Sequence, residues 1–106
     1  MYATIRRYTP KGQVDRKALD EFKHRIEDGF LPVAQEIRGF HSYYVVNVNN
    51  REIVSISVFE DKTGAGESTR RAAEFVKKDP LKDQLGSPEV LEGELLVSKE
   101  ALVGTR

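Results

Sequence analysis

The sequence predicts an α+β fold, a ferredoxin-like βαββαβ domain with a four-stranded antiparallel sheet. Two stretches carry apolar residues at helical spacing, and four short stretches are rich in β-branched and aromatic residues. Their order along the chain is strand, helix, strand, strand, helix, strand. At 106 residues the chain is long enough for one core and too short for two, so we expect a single domain with a tail from about residue 100.

The first strand is predicted over residues 2–9, and the first helix begins after it with Asp15 as its N-cap. Steps of three or four residues join the apolar positions of this helix, which are Leu19, Phe22, Ile26, Phe30, Val33 and Ile37. Gly29 and Pro32 interrupt the stripe. Because proline lacks an amide donor and clashes with the preceding turn, we expect a kink or break near Asp28.

The second and third strands are predicted over Phe40–Val48 and Glu52–Phe59. The two asparagines between them, at 49–50, suit a two-residue turn with positive φ. That turn places Tyr43 opposite Ile56. The sheet face that includes this pair is the more apolar one, so we predict that the helices cover it.

The second helix is predicted to begin after Asp61 or Thr63 and to end before Pro80. Its inner stripe is thin and consists of Ala65, Ser68 or Thr69, Ala72, Phe75 and Val76. Small residues there let the helix lie close to the sheet or leave space beneath it. One further turn over residues 81–85 and a last strand over residues 89–99 complete the pattern.

The sheet face without helices is predicted to combine aromatic and apolar residues with a few polar ones, and an exposed patch of this kind usually marks an interface. We therefore predict a homodimer through this face. The interface residues are predicted to be Arg6, Tyr44, Ile53, Phe59, Glu94 and Leu96. The alternative is a solvated sheet face with ordinary scattered aromatic residues.

The composition argues against several classes of function. The 17 basic and 17 acidic residues cancel, so no basic stripe for nucleic acid is indicated. Cysteine is absent and the two histidines have no acidic cluster at ligand spacing, so we expect no metal, haem or flavin. The N-terminus has no apolar signal segment and no apolar run approaches the ~20 residues of a membrane span, so we expect a cytoplasmic protein without a membrane partner.

Four segments spread over nearly the whole chain resemble the antibiotic-biosynthesis-monooxygenase-like family. They are Asp28-Gly29-Phe30-Leu31-Pro32, Ile37-Arg38-Gly39-Phe40, Tyr43-Tyr44 and Ser55-Ile56-Ser57-Val58-Phe59-Glu60-Asp61. That family is similar to the wider dimeric α+β barrel group, in which two ferredoxin-like sheets pack face to face. The resemblance therefore implies a dimeric α+β barrel.

The resemblance also implies two kinds of activity. Some members oxidise polyketide quinone precursors with oxygen and no cofactor, and others bind and cleave haem. The haem-cleaving type depends on an asparagine on the first strand, a tryptophan on the second helix and a histidine just after it. Here Arg7 and Phe75 lie near the first two places, and no histidine follows His41. The resemblance thus favours a cofactor-independent monooxygenase acting on a small aromatic or quinone-type substrate.

Tyr43 is the leading candidate for a pocket residue, because a phenol on a helix-covered face can offer a hydrogen bond to a quinone or phenol oxygen. His41 and Arg7 are weaker candidates for a proton or oxyanion partner. The predicted pocket lining is Tyr43, Ile56, Phe75 and Phe22. The structural alternatives are a core tyrosine, a partly exposed histidine at a strand start and an arginine paired with a surface carboxylate.

The other class of function left open is a non-catalytic dimeric module that binds a small apolar ligand or only associates. An open pocket beside Tyr43 would favour the enzyme, and a closed core full of side chains would favour the module.

Overall fold

The computed structural model describes residues 1–99, and its elements follow in the predicted order. They are β1 (Tyr2–Tyr8), α1 (Arg16–Arg25), a π-helical turn (Ile26–Phe30), α2 (Leu31–Glu36), β2 (Phe40–Val48), β3 (Glu52–Phe59), α3 (Lys62–Lys77), α4 (Lys82–Leu85) and β4 (Glu89–Glu94). The strands form one antiparallel sheet in the order β2-β3-β1-β4. The predicted α+β, ferredoxin-like class is therefore confirmed.

The break predicted in the first helix is a π-helical turn. The side chain of Asp15 caps α1 by accepting a hydrogen bond from the Ala18 amide at 3.2 Å. At the other end, the Leu31 amide bonds to the Ile26 carbonyl five residues back. Pro32 then falls in the first turn of α2, where its missing N–H leaves no intrahelical bond unmade. The widened turn thus lets a single apolar stripe continue past a proline.

The last strand is shorter than predicted. It covers Glu89–Glu94 and pairs only with β1, whose first residue, Tyr2, lies opposite Glu94. The prediction of a strand to Lys99 was wrong because β1 offers no further backbone beyond Tyr2, apart from one bond from the Leu95 amide to the Met1 carbonyl at 2.8 Å. The predicted tail from about residue 100 lies outside the described residues.

The turn between β2 and β3 has three residues, and this overturns the predicted register. Asn49 and Asn50 adopt positive φ as expected, but Val48 lies opposite Glu52, and Tyr43 lies opposite Ser57 instead of Ile56. Because side chains alternate between the two faces of a strand, a slip of one residue exchanges the faces of β3 relative to β2. β1 pairs with β3, so its faces are exchanged as well.

The face assignment of several residues was therefore wrong. Arg6, Ile53 and Phe59 lie buried under the helices instead of on the helix-free face. Glu94 pairs with Tyr2 and therefore also lies on the side of the helices, although it is exposed at the strand end. Ile56 lies on the helix-free face instead of in the pocket. Tyr43 lies on the covered side as predicted.

Phe40 is also on the covered side, because a β-bulge between residues 40 and 42 shifts β2 by one residue there. Tyr44 is 57% exposed on the helix-free face, where the sequence places it. None of the helices in residues 1–99 has the length and apolar character needed to cross a membrane.

Candidate functional site

Arg6, at the centre of β1, lies between the sheet and α3 and is only 1% exposed. All three guanidinium nitrogens donate to hydroxyl oxygens. Nε bonds to Ser55 Oγ at 3.0 Å and Nη2 to Ser57 Oγ at 2.7 Å, both on β3. Nη1 reaches α3, with Thr69 Oγ1 at 3.3 Å and Ser68 Oγ at 3.4 Å. The thin, small-residue stripe of α3 thus encloses a guanidinium.

The charge of Arg6 is held without a contacting carboxylate among residues 1–99. The carboxylate of Glu92 acts at longer range, and it accepts hydrogen bonds from Thr69 at 3.1 Å and from Thr4 at 2.8 Å. Burial lowers the pKa of Arg6, while Tyr43, Tyr8 and Glu92 act in the opposite direction. A guanidinium nevertheless stays protonated in proteins. The hydroxyl shell therefore fixes a cation in the interior without neutralising it.

Tyr43 lies beside this cation at the inner side of β2. Its ring packs against Phe30, with centroids 5.4 Å apart and the ring planes at 52°. Burial raises the pKa of Tyr43 to about 12, and the nearby positive charge of Arg6 acts in the opposite direction. At neutral pH the phenol is therefore protonated and serves as a hydrogen-bond donor, not as a base.

An open cleft of about 300 Å³ separates α1 and the π-helical turn from the ends of β2 and β3. Its apolar wall includes Leu19, Phe22, Ile26, Leu31, Val45 and Ile53. Tyr43 and Asn47 add polar groups, and the rim carries Arg16, Asp20, Lys23 and Glu27. This size is at the lower end of the range for small-molecule pockets.

A smaller recess of about 30 Å³ lies deeper between the sheet and α3. Five residues line both the cleft and the recess, namely Phe22, Ile26, Tyr43, Val45 and Ile53. The recess alone is lined by Arg6, Tyr8, Phe30, Ser55, Ala72, Phe75 and Val76. Tyr43 thus stands where the apolar cleft meets the region of the buried cation.

The candidates chosen from the sequence are only partly brought together. Tyr43 and Phe22 line the cleft and the recess, and Phe75 lines the recess. Arg7 is exposed on the helix-free face, where its Nη2 bonds to Glu52 Oε2 at 2.6 Å, so it does not join Tyr43. His41 is exposed at the bulge, with its Nδ1 3.2 Å from Ser42 Oγ.

Sequence reasoning missed the Arg6 cluster as an internal site. It did group Arg6 correctly with Ser55, Ser57 and Glu92 on one face, but it assigned that face to an interface between subunits. The available signal was the pairing of Arg6 with serines across the sheet, because Ser55 and Ser57 offer hydroxyl partners to a buried guanidinium. Within residues 1–99, no group of three or more histidine and acidic side chains is placed to hold a metal ion.

The fold and site together define a class: a ferredoxin-like α+β domain with an apolar cleft between its helices and its sheet. A protein of unknown function from Nitrosomonas europaea shares this fold, with 23% identity, 95% of this chain and 94% of that chain covered, and a TM-score of 0.69. HapK from Hahella chejuensis shares it at 16% identity, with 96% and 99% covered and a TM-score of 0.66.

A monooxygenase of Streptomyces coelicolor, solved with the ligand nanaomycin D, also has this fold. It is 14% identical, with 98% of this chain and 92% of that chain covered and a TM-score of 0.64. Another structure, named as an antibiotic biosynthesis monooxygenase, gives a TM-score of 0.62 at 14% identity, with 92% and 100% covered. The predicted resemblance to these monooxygenases is thus confirmed at the level of the fold. No protein-family model matches the chain, and no curated protein matches it in sequence.

Proposed function

We propose that this protein is a cofactor-independent monooxygenase that acts on a small aromatic or quinone-type substrate. The observation that carries the proposal is the buried Arg6 cation, held by hydroxyl groups and separated from an apolar cleft by the phenol of Tyr43. An apolar cleft suits an aromatic ring, and a fixed cation suits negative charge that develops on the ring system.

The substrate in this proposal has a CH₂ group activated by neighbouring rings or carbonyls. Its rings lie against Phe22 and Leu19, and its oxygen accepts a hydrogen bond from Tyr43. Loss of a proton to solvent leaves an enolate or phenolate, which the field of Arg6 stabilises. The ionised substrate then donates electrons to oxygen, and the overall change is CH₂ + O₂ → C=O + H₂O. No other reductant is required.

The solved structures support the proposal by analogy only, because one fold hosts many functions. One neighbour is named as a monooxygenase and was solved with nanaomycin D. The open cleft beside Tyr43 is the feature that favours an enzyme over a closed module. A non-catalytic ligand-binding module is the second candidate, and it is favoured by the mutual hydrogen bonding of the Arg6 cluster, which leaves Arg6 satisfied without a ligand.

Oxygen uptake separates the two candidates. We expect the purified protein to accelerate oxygen consumption with at least one member of a panel of anthrones and quinols. A module would bind members of the panel, as measured by calorimetry, with no oxygen uptake above the uncatalysed rate. Binding without turnover across the whole panel would overturn the enzyme and favour the module.

We also propose that the protein is a homodimer through the helix-free sheet face. That face carries Ala3, Ile5, Tyr44, Val46, Val54, Ile56 and Leu91. Tyr44, Val46 and Leu91 are exposed, and contiguous apolar surface of this kind is typical of an interface. We expect the dimer to bury about 1,200 Å² or more in total. Sedimentation at micromolar concentration tests this, and a monomer would contradict it.

A further inference from the structure

We propose that the small inner recess is the dioxygen site of this protein and that the charge of Arg6 stabilises superoxide formed there. The inference rests on the proposed oxygenase function and goes beyond it by assigning the second reactant to its own chamber. The outer cleft then holds the aromatic substrate, and Tyr43 stands at the boundary between the two.

The size of the recess selects a small ligand. One water molecule requires roughly 10–15 Å³ when volume is measured by a water-sized probe. The recess has about 30 Å³, enough for a diatomic molecule and far too little for an aromatic ring. The outer cleft is ten times larger, at about 300 Å³. Because their sizes differ, the two chambers suit different reactants.

The chemistry of the wall suits dioxygen. Phe30, Ala72, Phe75 and Val76 give the recess a largely apolar lining, and an apolar site of this size attracts an uncharged diatomic more readily than water. Arg6 forms part of the same lining.

The electrostatics favour the reduced form of oxygen over the neutral form. Arg6 is held by Ser55, Ser57 and Thr69, which fix its position while leaving its charge uncancelled by contact. Neutral dioxygen gains little from this cation. Superoxide gains much more, because the site is buried and the cation is already in place before the electron arrives. The attraction between Arg6 and the oxygen molecule therefore arises only as the electron is transferred. An interaction that is stronger in the transition state than in the ground state accelerates the reaction.

The step balances without a further reagent. The ionised substrate in the outer cleft transfers one electron to dioxygen, which gives a substrate radical and superoxide. The two combine to form a carbon–oxygen bond, and the resulting peroxide takes up the proton equivalent that left the substrate. Loss of water from the hydroperoxide breaks its O–O bond and leaves a carbonyl. One CH₂ group and one O₂ molecule thus become one C=O group and one water molecule.

Binding is tested without any substrate by methyl NMR under dissolved oxygen, which broadens nearby signals because it is paramagnetic. We expect excess broadening at the methyl groups of Ala72 and Val76. Ala65 is the matched control, since it is a buried alanine on the same helix that does not line the recess. Equal broadening at Ala65 and Ala72 would overturn the proposal.

Reaction from this site is tested by filling the recess. Ala72→Val and the milder Val76→Ile should raise the KM for oxygen about tenfold while leaving the anaerobic Kd for the aromatic substrate unchanged. Ala73→Val makes the same chemical change at the exposed neighbouring position and should alter neither value. Val76→Ile keeps the test usable where Ala72→Val does not fold.

The outcomes separate this inference from the proposed function. No oxygen uptake by the wild-type protein with any substrate overturns the proposed function and this inference with it. Normal uptake with an unchanged KM for oxygen in both filled variants overturns this inference alone. A raised KM for oxygen together with an unchanged substrate Kd supports it.

Discussion

The two faces of the sheet reverse the usual distribution of polarity. The centre of the covered face holds Thr4, Arg6, Ser55 and Ser57, all of them buried beneath α3. The helix-free face carries the apolar neighbours of these residues along β1 and β3, which are Ala3, Ile5, Val54, Ile56 and Val58. In a sheet covered on one side only, the apolar residues normally lie under the helices.

The two faces of the sheet therefore need different explanations. Burying a cation costs free energy that apolar packing at the same place would not, so the Arg6 cluster calls for a use beyond stability. An apolar sheet face exposed to water is typical of a surface that binds another protein chain. The aromatic core formed by Phe22, Phe30 and Phe75 lies to one side of the cluster and supplies ordinary packing. The Arg6 cluster is thus a polar region within a core that is otherwise apolar.

The largest effect is expected at Arg6. Arg6→Met keeps much of the side-chain volume and removes the charge, so we expect turnover to fall by about 10² to 10³-fold. The substitution also leaves the buried hydroxyls of Ser55 and Ser57 without the donor they accept from, which costs about 1–3 kcal/mol for each group left unsatisfied, so we expect Tm to fall while the protein still folds. Oxygen uptake and thermal unfolding measure the two effects.

Arg7→Met is the control for this experiment. Arg7 is the neighbouring arginine, is exposed, and pairs with Glu52 and Glu89 on the other face. We expect it to leave turnover within about twofold, since surface ion pairs contribute little. Strong destabilisation by Arg6→Met with normal turnover in the folded fraction would show that the buried cation is structural, and would remove the contrast between the two faces.

The next effect is expected at Tyr43. Tyr43→Phe removes the phenol hydroxyl between the cleft and Arg6 and keeps the ring that packs on Phe30. Losing a positioned donor should reduce turnover by about 10²-fold while the fold and oligomeric state stay intact. Tyr44→Phe, at the exposed neighbour on the opposite face, is the matched control. Unchanged turnover in Tyr43→Phe would exclude its hydroxyl from the mechanism.

The fold was predicted well from the sequence because the type and order of the helices and strands follow from local sequence patterns. Helical periodicity, the capping residues Asp15 and Asp61 and the proline after the break are local signals, and each is found in the structure. Prediction of the site depended instead on the register between β2 and β3, which decides which side chains face the helices. One additional residue in the turn, Arg51, exchanged the faces of two strands, and the sequence offers little to distinguish a two-residue from a three-residue Asn-Asn turn.

The candidate site could therefore be predicted only in part. Tyr43 was assigned to the covered side because its face was the more apolar one in the predicted register, and the assignment holds although its partner is Ser57 instead of Ile56. Arg6 was not, since its position follows from β3 through the pairing of β1 with β3. The enclosure of Arg6 by Ser68 and Thr69 depends on how α3 packs on the sheet, which no local pattern in the sequence predicts.

A smaller effect is expected on the helix-free face. Ile56→Asp places a charge in the middle of the proposed interface, and we expect the dimer dissociation constant to rise by roughly 30-fold or more, which corresponds to about 2 kcal/mol. Sedimentation across a dilution series measures it. Glu74→Asp on the outer side of α3 is a control that should change nothing. A wild-type protein that is already monomeric would mean that this face is solvated despite its apolar character.

The smallest effect is expected from the pH dependence of stability. Burial raises the pKa of Tyr43 from 10.0 to about 12, so the folded protein retains the phenol proton more strongly than the unfolded chain does. The resulting contribution to stability is complete below pH 10 and is lost as the pH rises towards 12. The maximum contribution is about 3 kcal/mol, since one pKa unit corresponds to about 1.4 kcal/mol, and about 2 kcal/mol of it is lost by pH 11.5.

Urea unfolding at pH 9 and pH 11.5 should therefore show a larger loss of stability in the wild-type protein than in Tyr43→Phe. The Tyr44→Phe variant is again the control, because it makes the same chemical change at the exposed neighbouring position, and it should behave as the wild-type protein does. An equal loss in the Tyr43→Phe variant would mean that water reaches this phenol freely. The covered face would then differ less from the helix-free face than its packing indicates, and Tyr43 would no longer mark a boundary between a solvated cleft and a buried cation.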